Sequence, residues 1–233
     1  DEDALATQQH EEFMRLCRRR AGGEPLAYIV GHKEFFGLEL AVDPRVLVPR
    51  PDTEVLVEWA LEVLPTQAAA RVVDLGTGSG AIALAIKAAC PHVKVTAVDF
   101  SAEALVVARS NGERLDLAVD WHRGSWFAPL PGQRFELVVS NPPYIAGDDP
   151  HLPALRHEPL SALTPGGDGM ADLRSLIDAA PQHLVPRGWL LLEHGWDQAD
   201  AVAQHLDARG FADVTLRRDL AGRPRASGGR WPG

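Results

Sequence analysis

Apolar positions recur along this chain with two different periods. From Arg71 onward, short runs of aliphatic and β-branched residues alternate with longer stretches whose apolar positions fall three and four apart. The runs predict strands at Val72–Leu75, Val93–Val98, Val119–His122, Leu137–Ser140, Trp189–Glu193 and Val214–Arg217. The helical stretches lie near Ile82–Ala89, Ala102–Gly112, Leu173–Leu184 and Gln198–Arg209. Strands alternating with helices of this length predict an α/β fold with a doubly wound, mainly parallel sheet. The last part, from Val214 through Arg225 to Trp231, reads as a closing antiparallel hairpin.

The N-terminal pattern is different. Residues 1 to about 20 read as a helix with Leu5, Phe13, Leu16 and Cys17 as its apolar positions, broken by Gly22-Gly23-Glu24-Pro25. Leu26 to Val48 is richer in strand signals, with His32 to Phe36, a turn at Gly37 and the alternating Leu38 to Val42 predicting a hairpin. Pro49-Arg50-Pro51 then hands over to a helix capped by Asp52 or Thr53. Its apolar stripe, Val55, Leu56, Trp59, Ala60, Val63 and Leu64, is a core face.

Composition narrows the functional classes. At 233 residues, 45% hydrophobic and 24% charged, the chain is an ordinary globular protein with room for one large domain. Its net charge of −9 implies no whole-chain attraction to nucleic acid or to an anionic membrane. No apolar run approaches the roughly 20 residues of a membrane span, and no signal-peptide pattern opens the chain. Two cysteines, Cys17 and Cys90, suggest neither a disulfide framework nor a metal set, which suits a reducing cytoplasm.

Two stretches carry chemistry. The first is Ser140-Asn141-Pro142-Pro143-Tyr144, at the end of the run Phe135 to Val139. Neither proline donates to a ladder and each holds the preceding residue extended, so the strand stops and leaves backbone carbonyls free. An amide side chain, a free carbonyl and an aromatic ring together suit a planar substrate bearing an N–H2 group. A strand followed by a proline-rich turn is the plain structural alternative.

The second stretch, Asp74-Leu75-Gly76-Thr77-Gly78-Ser79-Gly80, is a strand running through a glycine-rich turn into a helix. Glycines permit close approach of a ligand to the backbone, and Asp99 ends the next strand where an acid can accept two ribose hydroxyls. Gly76, Gly78 and Ala81 also satisfy the dinucleotide pattern, which keeps NAD in view. Asp74 argues instead for a cationic ligand, since its charge beside a pyrophosphate would repel.

Taken together, Asp74 to Gly80 and Asn141 to Tyr144 resemble a class I S-adenosylmethionine (SAM)-dependent methyltransferase acting on an amide or amino nitrogen. Tyr28-Ile29-Val30-Gly31, Glu34-Phe35-Phe36-Gly37, Val48 to Glu54, His157-Glu158-Pro159 and Asp219-Leu220-Ala221-Gly222 narrow the resemblance to the release factor glutamine methyltransferase family (PrmC/HemK). That resemblance implies a seven-stranded, Rossmann-like sheet preceded by a short helix and a β-hairpin. It divides the chain into residues 1–24, the remnant of a longer N-terminal helical domain, a linking hairpin at 25–51, and a methyltransferase domain at 52–233. It implies methyl transfer from SAM, leaving S-adenosylhomocysteine, to the side-chain amide of the glutamine in the Gly-Gly-Gln motif of peptide chain release factors.

The resemblance also assigns roles. Asn141, Pro142 and Tyr144 carry catalysis, and Pro143 joins them in holding the substrate. Asp74, Gly76, Thr77, Gly78, Ser79, Gly80, Asp99, Trp126 and Asn141 bind the cofactor, with Trp126 against adenine, although residue type alone makes Trp126 a core residue. No metal is expected, nor a membrane or a stable nucleic-acid partner, and the protein is expected to be a cytoplasmic monomer. Three rivals remain on the residues: a DNA adenine-N6 methyltransferase with the same Asn-Pro-Pro-Tyr logic, a non-catalytic SAM-binding assembly module, and an NAD oxidoreductase. Arg50, His157 and Glu158 read as structural, the last two as a loop salt bridge or helix cap.

Overall fold

A computed structural model describes residues 7–64 and 70–233 of the chain. Leu5, the first apolar position of the expected N-terminal helix, lies outside them.

Seven strands form one sheet: β3 (Arg71–Leu75), β4 (Lys94–Asp99), β5 (Asp120–Arg123), β6 (Phe135–Ser140), β7 (Leu184–Glu193), β8 (Ala212–Arg218) and β9 (Pro224–Arg230), in the order β5-β4-β3-β6-β7-β9-β8. Every neighbouring pair is parallel except those that involve β9. Alternation along the central strands serves two cores. Val72, Leu137, Val139 and Leu191 meet α3 (Glu54–Val63) and α4 (Ala81–Ala89) on one face. Val73, Leu75, Val138, Leu190 and Leu192 meet α6 (Ala171–Ala179) and α7 (Ala199–Arg209) on the other. A doubly wound, mainly parallel sheet is thus borne out, as is the core stripe of α3, with Leu56, Trp59, Ala60 and Leu64 buried.

The sheet reverses its order between β3 and β6, and open α/β sheets bind ligands at the carboxyl end of such a switch point. Ser140 closes the junction, its hydroxyl donating to the Leu75 carbonyl at 2.6 Å. The glycine turn and the Asn-Pro-Pro-Tyr stretch therefore leave the sheet side by side.

Three expectations need correction. Leu26–Val30 is a short helix, α2, before the hairpin of β1 (His32–Phe35) and β2 (Leu38–Ala41): Pro25 presets its entry and Gly31, at φ 83°, ends it. The expected helix to Leu184 stops at Ala179; Pro181 belongs to a 3₁₀ turn, and Leu184 already starts β7. Thr53 takes the N-cap position of α3, but its side chain caps nothing. The expected N-terminal helix is α1 (Thr7–Ala21), which leaves Phe13 55% exposed and is fastened near its C-terminal end by Arg19 on Glu24 and by Arg156 on the Gly22 carbonyl. The closing hairpin is present as β8–β9, with β9 wedged between β7 and β8.

Candidate active site

The turn after β3 is built around the Asp74 carboxylate. Asp74 is fully buried, and its Oδ2 accepts from the Thr77 hydroxyl at 2.6 Å and the Ala83 N–H at 3.2 Å. Its Oδ1 has no hydrogen-bond partner among the described residues, and burial pushes its pKa up to about 7. The Gly76 and Thr77 N–H groups donate to the Val98 carbonyl, which pins the turn to β4. Gly76, at φ 76°, sits where a Cβ would come within 3.3 Å of the Trp126 ring. The turn thus needs glycine there both for its backbone and for the tryptophan.

Asp99 ends β4 with its carboxylate held by the Gly78 N–H (2.8 Å) and the Ser101 N–H (2.8 Å). Burial raises its pKa, and those N–H groups oppose the rise. Trp126 stands opposite with a positive φ of 47°, its side chain opposing the rise that burial gives the Asp172 pKa. A bulky residue held in that backbone region is the mark of a local constraint. Gly76, Gly78, Asp99, Trp126, Asn141 and Pro143 line one cavity of about 290 Å³, together with the exposed Phe100 and a roof of Arg45, Val46 and Leu47. Asp74, Thr77, Ser79 and Gly80 are not among its lining residues: they lie behind the wall and hold the turn's shape.

A second cavity of about 440 Å³ adjoins it, lined by Asn141, Pro142, Tyr144, Arg50, Glu158 and Glu193 among others. The Tyr144 hydroxyl donates to Glu193 Oε1 at 3.1 Å, and its carbonyl accepts from Gln198 Nε2 at 2.9 Å. A Cβ on Gly169 would come within 2.3 Å of that carbonyl, so the stretch is clamped from both sides. Burial, then the Glu193 charge, raise the Tyr144 pKa above its ordinary value. Asn141 Nδ2 donates to Thr53 Oγ1 at 3.3 Å, which turns its Oδ1 away from that bond. Glu158 is a loop salt bridge, as read: it pairs with Arg50 and accepts from the Val48 N–H at 3.0 Å. Among the described residues no cluster of His, Cys, Asp and Glu could hold a metal ion.

Sequence reading missed Phe100, Arg45 to Leu47, Asp172, Thr53 and Glu193. Phe100 had a signal, its place directly after Asp99. Thr53 stands within Val48 to Glu54 but read as a cap, and the others come from distant segments with nothing local to mark them.

Residues 53–168 match the Methyltransferase small domain family, and residues 1–31 match the PrmC N-terminal domain family. Among solved structures, a methyltransferase from Pyrococcus furiosus superposes with a TM-score of 0.66 over 95% of this chain and 100% of that one, at 21% identity. The T. thermophilus 16S rRNA N2 G1207 methyltransferase, solved with AdoMet and guanosine, gives a TM-score of 0.63 over 86% of this chain and 49% of that one, at 16% identity. These two likenesses show the fold, a Rossmann-like methyltransferase sheet. The release factor glutamine methyltransferase of Bordetella pertussis is 50% identical over 232 residues, which are 98% of this chain and 86% of that one. Half its positions shared along nearly its whole length, the chain belongs to the release factor glutamine methyltransferase family.

Proposed function

We propose that the protein methylates the side-chain amide nitrogen of the glutamine in the Gly-Gly-Gln motif of peptide chain release factors, using SAM as donor. One observation carries this reading. Asn141, Leu47 and Ala162 line both cavities, and of the three only Asn141 has a polar side chain. A residue at that junction can touch donor and acceptor at once.

The first cavity suits the cofactor on its own residues. The Asp99 carboxylate suits ribose hydroxyls, Gly76 lets a ligand reach the backbone, and Phe100 and Trp126 offer flat faces. When bound, SAM supplies an electrophilic methyl group on a sulfonium and leaves as S-adenosylhomocysteine.

The second cavity suits the amide. An amide nitrogen is a weak nucleophile because its lone pair is delocalised into the carbonyl. Asn141 Oδ1 and the Pro142 carbonyl accept its two N–H bonds, hold the nitrogen in line and favour a pyramidal geometry. The prolines at 142 and 143 offer no N–H that would compete. Tyr144 stacks on the amide plane with its hydroxyl anchored by Glu193. The methylated nitrogen is far more acidic than the amide it came from, so the proton leaves without a strong base.

The same reading divides the chain at residues 24 and 51, as the sequence suggests, and makes the protein a cytoplasmic monomer without a stable nucleic-acid partner, in keeping with its net charge of −9. The test is mass spectrometry of a purified release factor incubated with labelled SAM. The methyl mark should map to the Gly-Gly-Gln glutamine and vanish when that residue is changed. Asn141→Ala should lower kcat on the order of 10²-fold while SAM affinity holds. A mark on another residue, or equal loss of affinity and turnover, would sink the assignment.

A further inference from the structure

An asparagine amide has an accepting end and a donating end, and only the accepting end can receive the N–H bonds of a glutamine. Something must decide which end faces the second cavity. The register Ser140↔Leu192 sets Asn141 and Glu193 side by side at the ends of β6 and β7. Thr53, at the start of α3, lies between them: its Oγ1 accepts from Asn141 Nδ2 at 3.3 Å, and its hydroxyl is near enough to the Glu193 carboxylate to oppose the rise of its pKa. Thr53 is 4% exposed and Glu193 1% exposed, so water does not compete for these bonds. A threonine has one hydroxyl hydrogen. Donated to Glu193, that hydrogen leaves a lone pair for Asn141 and so selects the N–H2 end. Two further features set these residues apart from ordinary scaffolding. The Thr53 side chain makes no cap bond to the backbone of the helix it opens. Glu193 Oε2 is buried with no hydrogen-bond partner among the described residues, a costly arrangement to keep without a use.

We infer that Thr53 and Glu193 are positioning residues that fix the Asn141 amide with Oδ1 toward the glutamine. This rests on the reading of Asn141 as the acceptor of the substrate N–H bonds. It gives the reaction an acid limb of its own. Once protonated, Glu193 can donate to Thr53, which then donates to Asn141 Oδ1 and turns the amide round. Burial raises the Glu193 pKa to about 7; Thr53, Tyr144 and Arg225 oppose the rise, and Asp52 adds to it. Those groups come from the start of α3, the loop after β6 and β9; Arg50 and Glu158 line the same cavity. His194, the next residue along, is held by Ser227 Oγ at 2.8 Å.

The experiment compares Thr53→Val, Thr53→Ser, Glu193→Gln and Asn141→Ala in the methylation of intact release factor, with SAM affinity and thermal unfolding measured in parallel. Thr53→Val should lower kcat on the order of tenfold, the worth of about one hydrogen bond, with SAM affinity within twofold. Thr53→Ser should restore most of the loss, since it keeps the hydroxyl. In the native protein kcat should fall as pH drops through about 7, and Glu193→Gln should flatten that limb. Native turnover in Thr53→Val, or Thr53→Ser as slow as Thr53→Val, overturns the inference. If Thr53→Val does not fold, the pH profile of Glu193→Gln decides: an unchanged acid limb overturns the inference equally. Asn141→Ala separates the two levels, because full turnover there removes the site reading itself, whereas its loss beside a native Thr53→Val removes only the positioning role.

Discussion

Gly76 and Asp74 sit on either side of Leu75 and obey different rules. At φ 76° and within 3.3 Å of the Trp126 ring, Gly76 has room for no side chain. Gly76→Ala should therefore cost about 1–2 kcal/mol of stability and push the tryptophan into the cavity, and titration with SAM should show at least a tenfold weaker affinity (~1.4 kcal/mol). For Asp74, the folded pKa of about 7 lies above the ordinary 3.8, so folding favours the protonated form. The stability it contributes is complete below about pH 4, and is lost as pH rises through about 7. Asp74→Asn removes the titration, so its Tm relative to the native protein should climb from about pH 4 to 7 and level off above. A flat difference in scanning fluorimetry across that range would contradict the buried, half-partnered carboxylate. Residues such as these and Asn141 were legible because a motif is local: glycines, acid and prolines stand within a few positions of a strand end. Thr53 and Glu193 were not, because their partners lie 88 and 49 residues away. A threonine before a helix reads as a cap, and an acid ending a strand reads as surface.

At the scale of elements, the segment between β2 and α3 is held to the loop after β6 by one carboxylate. Glu158 reaches both the Val48 N–H and the Arg50 guanidinium, while Arg156, two residues before it, holds the turn after α1 through the Gly22 carbonyl. Glu158→Ala leaves a buried N–H without its acceptor. Because Arg50 is 38% exposed, the ion pair counts for less than a fully buried one. A loss of about 1–3 kcal/mol follows, or roughly 2–10 °C in Tm by calorimetry. Under the proposed function SAM affinity should fall as well, since Val46 and Leu47 roof the first cavity. Glu158→Gln, which keeps one acceptor, should recover part of both. Elements with strong period were read well, and α3, α4 and the helix Ala102–Arg114 fall close to where the apolar spacing put them. Errors gathered where proline or glycine overrode the period. Pro25 and Gly31 bracket a helix too short to show 3.6-residue spacing, and Pro186 lies in a bulge where β7 spends Val185 to Gly188 against one residue of β6.

For the molecule as a whole, the order of the sheet makes the site, because the reversal between β3 and β6 brings the two chemical turns together. Binding at that junction should stabilise the whole fold. SAM at a hundred times its Kd should add about 2.7 kcal/mol, a rise of roughly 5–10 °C in Tm, and NADH at the same concentration should add nothing. Equal shifts from both would return the dinucleotide reading of the glycine turn. The class of the fold was legible from strand–helix alternation alone, but the place of β9 was not, since a hairpin at the end of a pattern does not say between which strands it inserts. That insertion has a consequence for synthesis. The first strand of the hairpin, β8, finds no neighbour in the sheet until residues 224–230 have left the ribosome, and Arg225, which pairs with Asp52 at 3.1 Å and Asp219 at 3.0 Å, arrives with them. The glycine turn, by contrast, has all its strands within the first 140 residues. The hairpin is thus the last part of the sheet that can form, and the ion pair from Arg225 to Asp52 ties the end of the chain back to the start of α3.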